Sequence, residues 1–262
     1  MIDWLIYALI GVVSGMFAGL LGLGGGIIIV PSLLIIFAIQ GVSESISMHM
    51  AVVTSLMTIS VTSIASAISH HRQSTINWPW FRRLAPGLVL GGLLGAYFST
   101  LLSGKLLQYG FALYACFVAI TIWKTVTLPE SKYLGSFASN TGIATLIGTV
   151  SALVGIGGGT LIVPYLMSKQ QSMLQAIGTS ALCCVPIAIA AIIGYSLFET
   201  PLYINSLSWH RGFLHEQAFL GIISTSIIFS MLSARWAKKV PIILLKRLFS
   251  LVLLMMAWLL VS

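Results

Sequence analysis

The sequence predicts an all-α integral membrane protein: two repeats of about four hydrophobic segments each, inverted relative to one another, each with a Gly-rich broken helix or re-entrant hairpin. Three observations predict it. Of the 262 residues, 58% are hydrophobic and only 7% are charged, whereas a soluble domain carries about a quarter charged residues. Long apolar runs follow one another along the whole chain. A glycine-rich motif occurs twice, each time beside a run too short to cross a bilayer. Together these exclude a soluble globular, disordered or nucleic-acid-binding protein, because so much apolar surface finds its solvent only in lipid.

The first half, residues 1–128, holds apolar runs at Trp4 to Leu23, Ile27 to Ile39, Ile46 to Ser69, Leu84 to Leu102 and Leu106 to Leu128. Residues 129–140 form a connecting loop. The second half, residues 141–262, has runs at Thr141 to Ile156, Thr160 to Met167, Leu174 to Leu197, Gln217 to Ser233 and Ile242 to Val261. Most approach the roughly 20 residues that a crossing helix needs. Ile27 to Ile39 is short, and Thr160 to Met167 is far too short.

Both short runs follow the duplicated motif. Gly15 to Pro31 reads GMFAGLLGLGGGIIIVP and Gly148 to Pro164 reads GTVSALVGIGGGTLIVP, identical at nine of 17 positions without a gap. The likeness resumes at Ala51-Val52-Val53-Thr54-Ser55 and Ala176-Ile177-Gly178-Thr179-Ser180. If each Gly-rich segment turns back to the side it entered from, Arg72, Arg82, Arg83, Lys124, Lys132, Lys169, Arg235, Lys238, Lys239, Lys246 and Arg247 gather on one side, leaving only Lys105 and Arg211 on the other. Such a bias is what the positive-inside rule leads one to expect. It favours the hairpin arrangement, with both termini outside, over four simple crossings per half. The net charge of +8 thus reads as an orientation signal rather than a lure for an acidic partner.

Consecutive glycines are costly in a lipid-embedded helix and persist where the freed backbone is buried in protein or lines a cavity. Gly24, Gly25 and Gly26, with Gly157, Gly158 and Gly159, are therefore candidate substrate-binding residues: a half-helix starting there directs free N–H groups and its positive end at an anion. Pro31 and Pro164 fit an early helical position, though an extended Ile27 to Val30 stretch fits too. Thr54, Ser55, Thr179 and Ser180 join the candidates as hydroxyl donors, and His49 as a titratable group. Each has a structural alternative, the hydroxyls bonding their own helix and His49 sitting at the interface beside Glu44. Gly11, Gly15 and Gly19 read as a close-packing face. His70 and His71 beside Arg72 read as an interfacial positive cluster, and Trp78, Trp80, Trp209 and Trp236 as an aromatic belt. His210, His215 and Glu216 in the Phe198 to Glu216 loop lack a well-spaced third ligand, so neither metal nor cofactor is expected. Cys116, Cys183 and Cys184 read as small membrane-buried residues.

The stretches GLLGLGGGIIIVP and ALVGIGGGTLIVP, with MHMAVVTSL and AIGTSAL after them, resemble the TauE/SafE sulfite exporter family, also called the TSUP permeases, over nearly the whole chain. The loop from His70 to Trp78, leading to Pro86-Gly87 and Gly91-Gly92-x-x-Gly95, is similar too. The resemblance implies a multi-pass transporter of the bacterial inner (plasma) membrane, carrying small sulfur-containing anions of the sulfite, sulfonate or thiosulfate class as a secondary carrier. The expected partners are a small anionic substrate and the lipid bilayer, with a homodimer left open and no nucleic acid. No Walker A pattern and no nucleophile motif around Ser55 and His49 is present, so transport rather than catalysis is expected. A thiol or redox carrier using Cys183 and Cys184, and an anion channel, are the alternatives.

Overall fold

The structure is a computed structural model that describes residues 2–123, 137–198, 210–211 and 213–237. The expected span Ile242 to Val261, Trp209, most of the 129–140 loop, and Lys124, Lys132, Lys238, Lys239, Lys246 and Arg247 lie outside the described residues.

The described chain is almost entirely helical. In order come α1 (Ile2–Leu21), α2 (Gly26–Ile39), α3 (Glu44–Arg72), α4 (Trp78–Leu101), α5 (Gly104–Trp123), α6 (Phe137–Val154), α7 (Gly159–Ser168) and α8 (Met173–Phe198), then strands β1 (His210–Arg211) and β2 (Leu214–His215), then α9 (Glu216–Trp236). Among the described residues, α1, α3, α4, α6, α8 and α9 are long and apolar enough to cross a membrane. The 14 residues of α2 and 10 of α7 extend about 21 and 15 Å, short of a hydrocarbon core about 30 Å thick. Part of the expected Phe198 to Glu216 loop is instead the antiparallel pair of β1 and β2, in which His210 faces His215.

Both short helices return to where their predecessors began. Gln40, just past α2, donates from Nε2 to the Tyr7 hydroxyl near the start of α1 at 3.3 Å. Tyr165 near the end of α7 donates to Asn140 Oδ1 at the start of α6 at 2.8 Å. The Gly-rich segments are thus the tips of hairpins. One end of the bundle then carries Arg72, Arg82, Arg83, Lys169 and Arg235, at or beside the ends of α3, α7 and α9 and the start of α4. At the opposite end Lys105 pairs with Glu44 at 3.2 Å. We call these the basic face and the hairpin face, the latter after the small strand pair.

The helices interleave across the two halves. α1 lies along α9, and a Cβ on Gly11, Gly15 or Gly19 would fall 2.2, 2.6 and 2.2 Å from the carbonyl oxygens of Ile222, Ser226 and Ser230. The close-packing reading of these glycines is correct. α4 lies along α6 in the same manner, Gly87, Gly91 and Gly95 meeting the carbonyls of Thr141, Thr145 and Thr149 at 2.3, 2.3 and 2.5 Å. α3 and α8 are the most buried of the spanning helices. They run in opposite directions: α3 ends beside the start of α8, where Thr75 touches Gly178. Meanwhile Ser99, at the far end of α4, is hydrogen-bonded both by His49 near the start of α3 and by Tyr195 near the end of α8. Large apolar side chains such as Leu9, Leu113, Leu146 and Ile228 stand exposed on the outer helices, as lipid-facing positions do.

Two aromatic and histidine expectations need correction. Trp80 is not in a belt: it is buried with Leu84, Ile162 and Leu166, edge-on to Tyr165, while Trp78 and Trp236 are exposed. His70 is not an interfacial charge, being 1% exposed. Its Nε2 donates to the Gly19 carbonyl at 3.0 Å and its Nδ1 meets the Thr75 hydroxyl at 3.1 Å, clamping the end of α1 to the end of α3. The local basic pattern concealed this because a histidine beside Arg72 resembles a solvated one.

Candidate functional site

The site grows from two glycine breaks. Gly25 and Gly158 cap α2 and α7 in the left-handed region, at φ 84° and 83°, with no side chain capping either helix. Glycine takes that conformation without steric cost, and L-residues do not. Helix begins at once, at Gly26 and at Gly159, so the extended alternative for Ile27 to Val30 is excluded. Pro31 and Pro164 sit in the second turn, inside the helices rather than at their first position, and each removes the N–H that would have bonded the carbonyl four residues earlier.

The two breaks meet. A Cβ on Gly24 would lie 3.4 Å from the Gly157 Cα; one on Gly26 would be 2.4 Å from the Gly155 oxygen, and one on Gly159 2.2 Å from the Gly22 oxygen. Ser55 Oγ donates to the Gly155 carbonyl at 2.8 Å, and Ser180 Oγ donates to the Gly22 carbonyl at 2.9 Å. Each half therefore supplies the hydroxyl that holds the other half's break. Ile59 packs 3.0 Å from the Cβ positions of both Gly24 and Gly157, and Cys184 Sγ lies 3.0 Å from that of Gly157. Ser63 Oγ, 3.4 Å from that of Gly24, is buried without a hydrogen-bond partner among the described residues.

Thr54 and Thr179 form a second reciprocal pair. Thr54 Oγ1 accepts the His215 backbone N–H at 3.0 Å, and Thr179 Oγ1 accepts the Asn77 backbone N–H at 2.9 Å. His215 and Asn77 are the N-caps of α9 and α4, their side chains accepting from Ala218 and Trp80 N–H. The segment entering α9 thus rests on α3 from the hairpin face, and the segment entering α4 rests on α8 from the basic face. His215 is a capping residue packed against Tyr7 and Phe37, and no cluster suited to a metal ion occurs among the described residues.

The candidate residues therefore fall into three places. The six glycines, Ser55 and Ser180 converge at the crossing. Thr54 and Thr179 lie one residue away and anchor the two entering segments. His49 sits apart toward the hairpin face: it is buried rather than beside Glu44, bonded through Nε2 to the Ser99 carbonyl at 3.1 Å and stacked on Phe213 at 5.2 Å. A hydroxyl has one proton to donate, and those of Ser55 and Ser180 go to carbonyls, so in this conformation neither is a donor for an anion. Sequence reasoning passed over Ser63, Ser151, Thr160 and Tyr114, which border the breaks; only positional comparison of the two copies would have raised Ser151 and Thr160.

Chemically the crossing is a donor-rich place without formal charge. No Lys, Arg, Asp or Glu is buried among the described residues. Among the described residues, the N–H groups of Gly24, Gly25, Gly26 and Ile27 in one break, and of Gly157, Gly158 and Thr160 in the other, find no backbone carbonyl acceptor. These are the open groups of two helix N-termini, whose positive ends favour an anion.

Comparison with known proteins places the chain among membrane transporters. The family described as "Sulfite exporter TauE/SafE" matches residues 7–260. A "Probable membrane transporter protein" of Haemophilus influenzae is 35% identical over 257 residues, covering 97% of this chain and 96% of the relative. "Probable membrane transporter protein YunE" of Bacillus subtilis is 27% identical over 63% of this chain and 67% of its own. "Probable membrane transporter protein MJ0441" of Methanocaldococcus jannaschii is 26% identical, covering 77% of this chain and 75% of its own. No solved structure matches. With the family matched from the first helix to the last apolar segment, the chain belongs to the sulfite exporter TauE/SafE family of membrane transporters.

Proposed function

We propose that the protein is a secondary transporter of small sulfur-containing anions, of the sulfite, sulfonate or thiosulfate class, working by alternating access across the bacterial inner membrane. The observation that carries this reading is the meeting of two half-helix N-termini whose first N–H groups have no backbone carbonyl acceptor among the described residues. Transporters built on inverted repeats place their sites where broken helices meet. The division into 1–128 and 141–262 as inverted repeats is supported by the antiparallel course of α3 and α8, which carry the matching Thr-Ser pairs, and by the reciprocal serine bonds. Association into a homodimer belongs to the same proposal and is tested by the mass in detergent.

Flux of radiolabelled sulfite, thiosulfate and a sulfonate into proteoliposomes, with and without a pH gradient, tests the function. Saturable uptake with counterflow is expected, and absence of movement of all three anions in sealed, protein-containing vesicles overturns the substrate class. The thiol-carrier alternative draws on the Cys184 thiol at the crossing; Cys183→Ser with Cys184→Ser separates it, since anion flux survives that change only if the thiols do not carry the substrate. Orientation is tested with single cysteines at Arg72 and Lys105. They should react with an impermeant maleimide from opposite faces, the Arg72 position from the cytoplasm, and labelling of both from one face overturns the hairpin topology.

A further inference from the structure

The two breaks share a backbone but not their side chains. In the motif alignment Ser151 stands where the first copy has Ala18, and Thr160 where it has Ile27. Ser151 Oγ is fully buried, has no hydrogen-bond partner among the described residues, and lies 3.1 Å from where a Cβ on Gly158 would be. It is therefore aimed at the cap of α7. Thr160, in the first turn of α7, is hydrogen-bonded by hydroxyl to the buried Tyr114, which reaches in from α5. Two hydroxyls sharing one bond leave a second proton undirected. Both starts are tightly packed, the Cβ position of Gly25 meeting the Ser14 carbonyl oxygen at 2.9 Å and that of Gly158 meeting Ile187 Cδ1 at 2.6 Å; they differ in their hydroxyls, since the Ser14 hydroxyl beside α2 is already spent on the Gly11 carbonyl.

We propose that the start of α7, rather than the start of α2, is the anion subsite, with the hydroxyls of Ser151, Thr160 and Tyr114 and the adjoining backbone N–H groups as direct ligands. This rests on the anion-transport reading above and sharpens it. Buried donors without acceptors are a rare arrangement in a folded protein; a ligand presenting only acceptors, such as a fully deprotonated sulfur oxyanion, satisfies all of them together. Because the hydroxyls occur in one copy alone, a single anion binds, displaced from the pseudo-symmetric centre toward α5 and α7. On the α2 side Ser63, 3.4 Å from the Cβ position of Gly24, is an isolated hydroxyl, unpartnered among the described residues, while Ser14 and Ser55 beside it bond carbonyls.

The test is calorimetric titration of the purified full chain with sodium sulfite and sodium thiosulfate, alongside uptake kinetics. One anion per chain is expected. Ser151→Ala and Tyr114→Phe should each weaken affinity and raise KM on the order of tenfold, the loss of one hydrogen bond to a charged ligand, with maximal uptake largely preserved. Thr160→Val should do the same and Thr160→Ser should restore binding; a purely structural hydroxyl would instead lower maximal uptake and yield with KM little changed. Ser14→Ala should leave KM unchanged. Each variant is checked for monodispersity, and should Tyr114→Phe misfold, Ser151→Ala and the Thr160 pair decide the matter. Unchanged affinity in those variants beside a wild type that binds, or two equivalent sites per chain, overturns the subsite. A wild type that binds and carries neither anion overturns the anion reading itself.

Discussion

Gly159→Ala is expected to leave little folded transporter in the membrane, and Gly26→Ala to do nearly the same. Added methyl groups would lie 2.2 Å from the Gly22 oxygen and 2.4 Å from the Gly155 oxygen, well inside contact distance. Those oxygens cannot retreat. Each is held by the serine of the opposite half, at 2.9 and 2.8 Å, in a backbone segment that passes through the left-handed region. Overpacking in a tight core costs about 1–3 kcal/mol and occasionally more; rigid backbone on both sides of the clash places these changes at or above the upper end. That is a large share of the roughly 5–15 kcal/mol by which folded proteins are stable. Yield of monodisperse protein in detergent and its thermal midpoint check the expectation. The same substitution at Gly110 or Gly142, where an added methyl meets nothing within 4 Å, should be harmless, and wild-type behaviour of Gly159→Ala would mean that the two breaks do not touch.

The second large effect concerns sidedness. Thr54→Val removes the acceptor for the His215 N–H and leaves the rest of α3 nearly unchanged in shape; Thr179→Val does the same for the Asn77 N–H on α8. A buried N–H without a partner, as at His215, costs about 1–3 kcal/mol and the half-buried one at Asn77 less, but only while the entering segment remains seated, since water satisfies it once the segment lifts. Under the alternating-access cycle proposed above, the cost therefore falls on the closed state. The open population on that face should rise on the order of tenfold per 1.4 kcal/mol. A native reporter is at hand, the Cys184 thiol at the crossing. In a Cys116→Ser, Cys183→Ser background, Thr54→Val should make Cys184 react with an impermeant maleimide from the hairpin face. Thr179→Val should make it react from the basic face, and both variants should transport poorly because each favours one state. Reaction from the same face in both, or from neither, would show that these threonines are not the latches.

Much of this arrangement could be read from residues in order along the chain. The shortness of Ile27 to Ile39 and Thr160 to Met167, with the one-sided basic residues, implied hairpins, because bilayer thickness and charge asymmetry act on local sequence. The close-packing face at Gly11, Gly15 and Gly19 was legible for the same reason. What sequence order could not convey was the exchange between halves. That α1 lies against α9 and α4 against α6 depends on surfaces far apart in the chain, and nothing in the spacing of Gly11 names Ile222 as its neighbour. The hydroxyl assignments suffered likewise. Ser55 and Ser180 stand at the crossing, where their partners are carbonyls of the opposite copy, so their protons are already used. His70 was misread because burial is decided by α1 packing over it, not by Arg72 beside it.

The pairing of α1 with α9 also bears on how the chain is made. Thr225 of α9 donates to the carbonyl of Ala8 across 217 positions of sequence. At roughly 5–20 residues per second, α1 enters the bilayer on the order of ten seconds or more before its neighbour exists. During that interval its row of glycines presents an open groove to lipid and to other nascent helices, and the Gly22 carbonyl has yet to meet Ser180. Biogenesis therefore includes a waiting stage in which the first hairpin is inserted but unsealed.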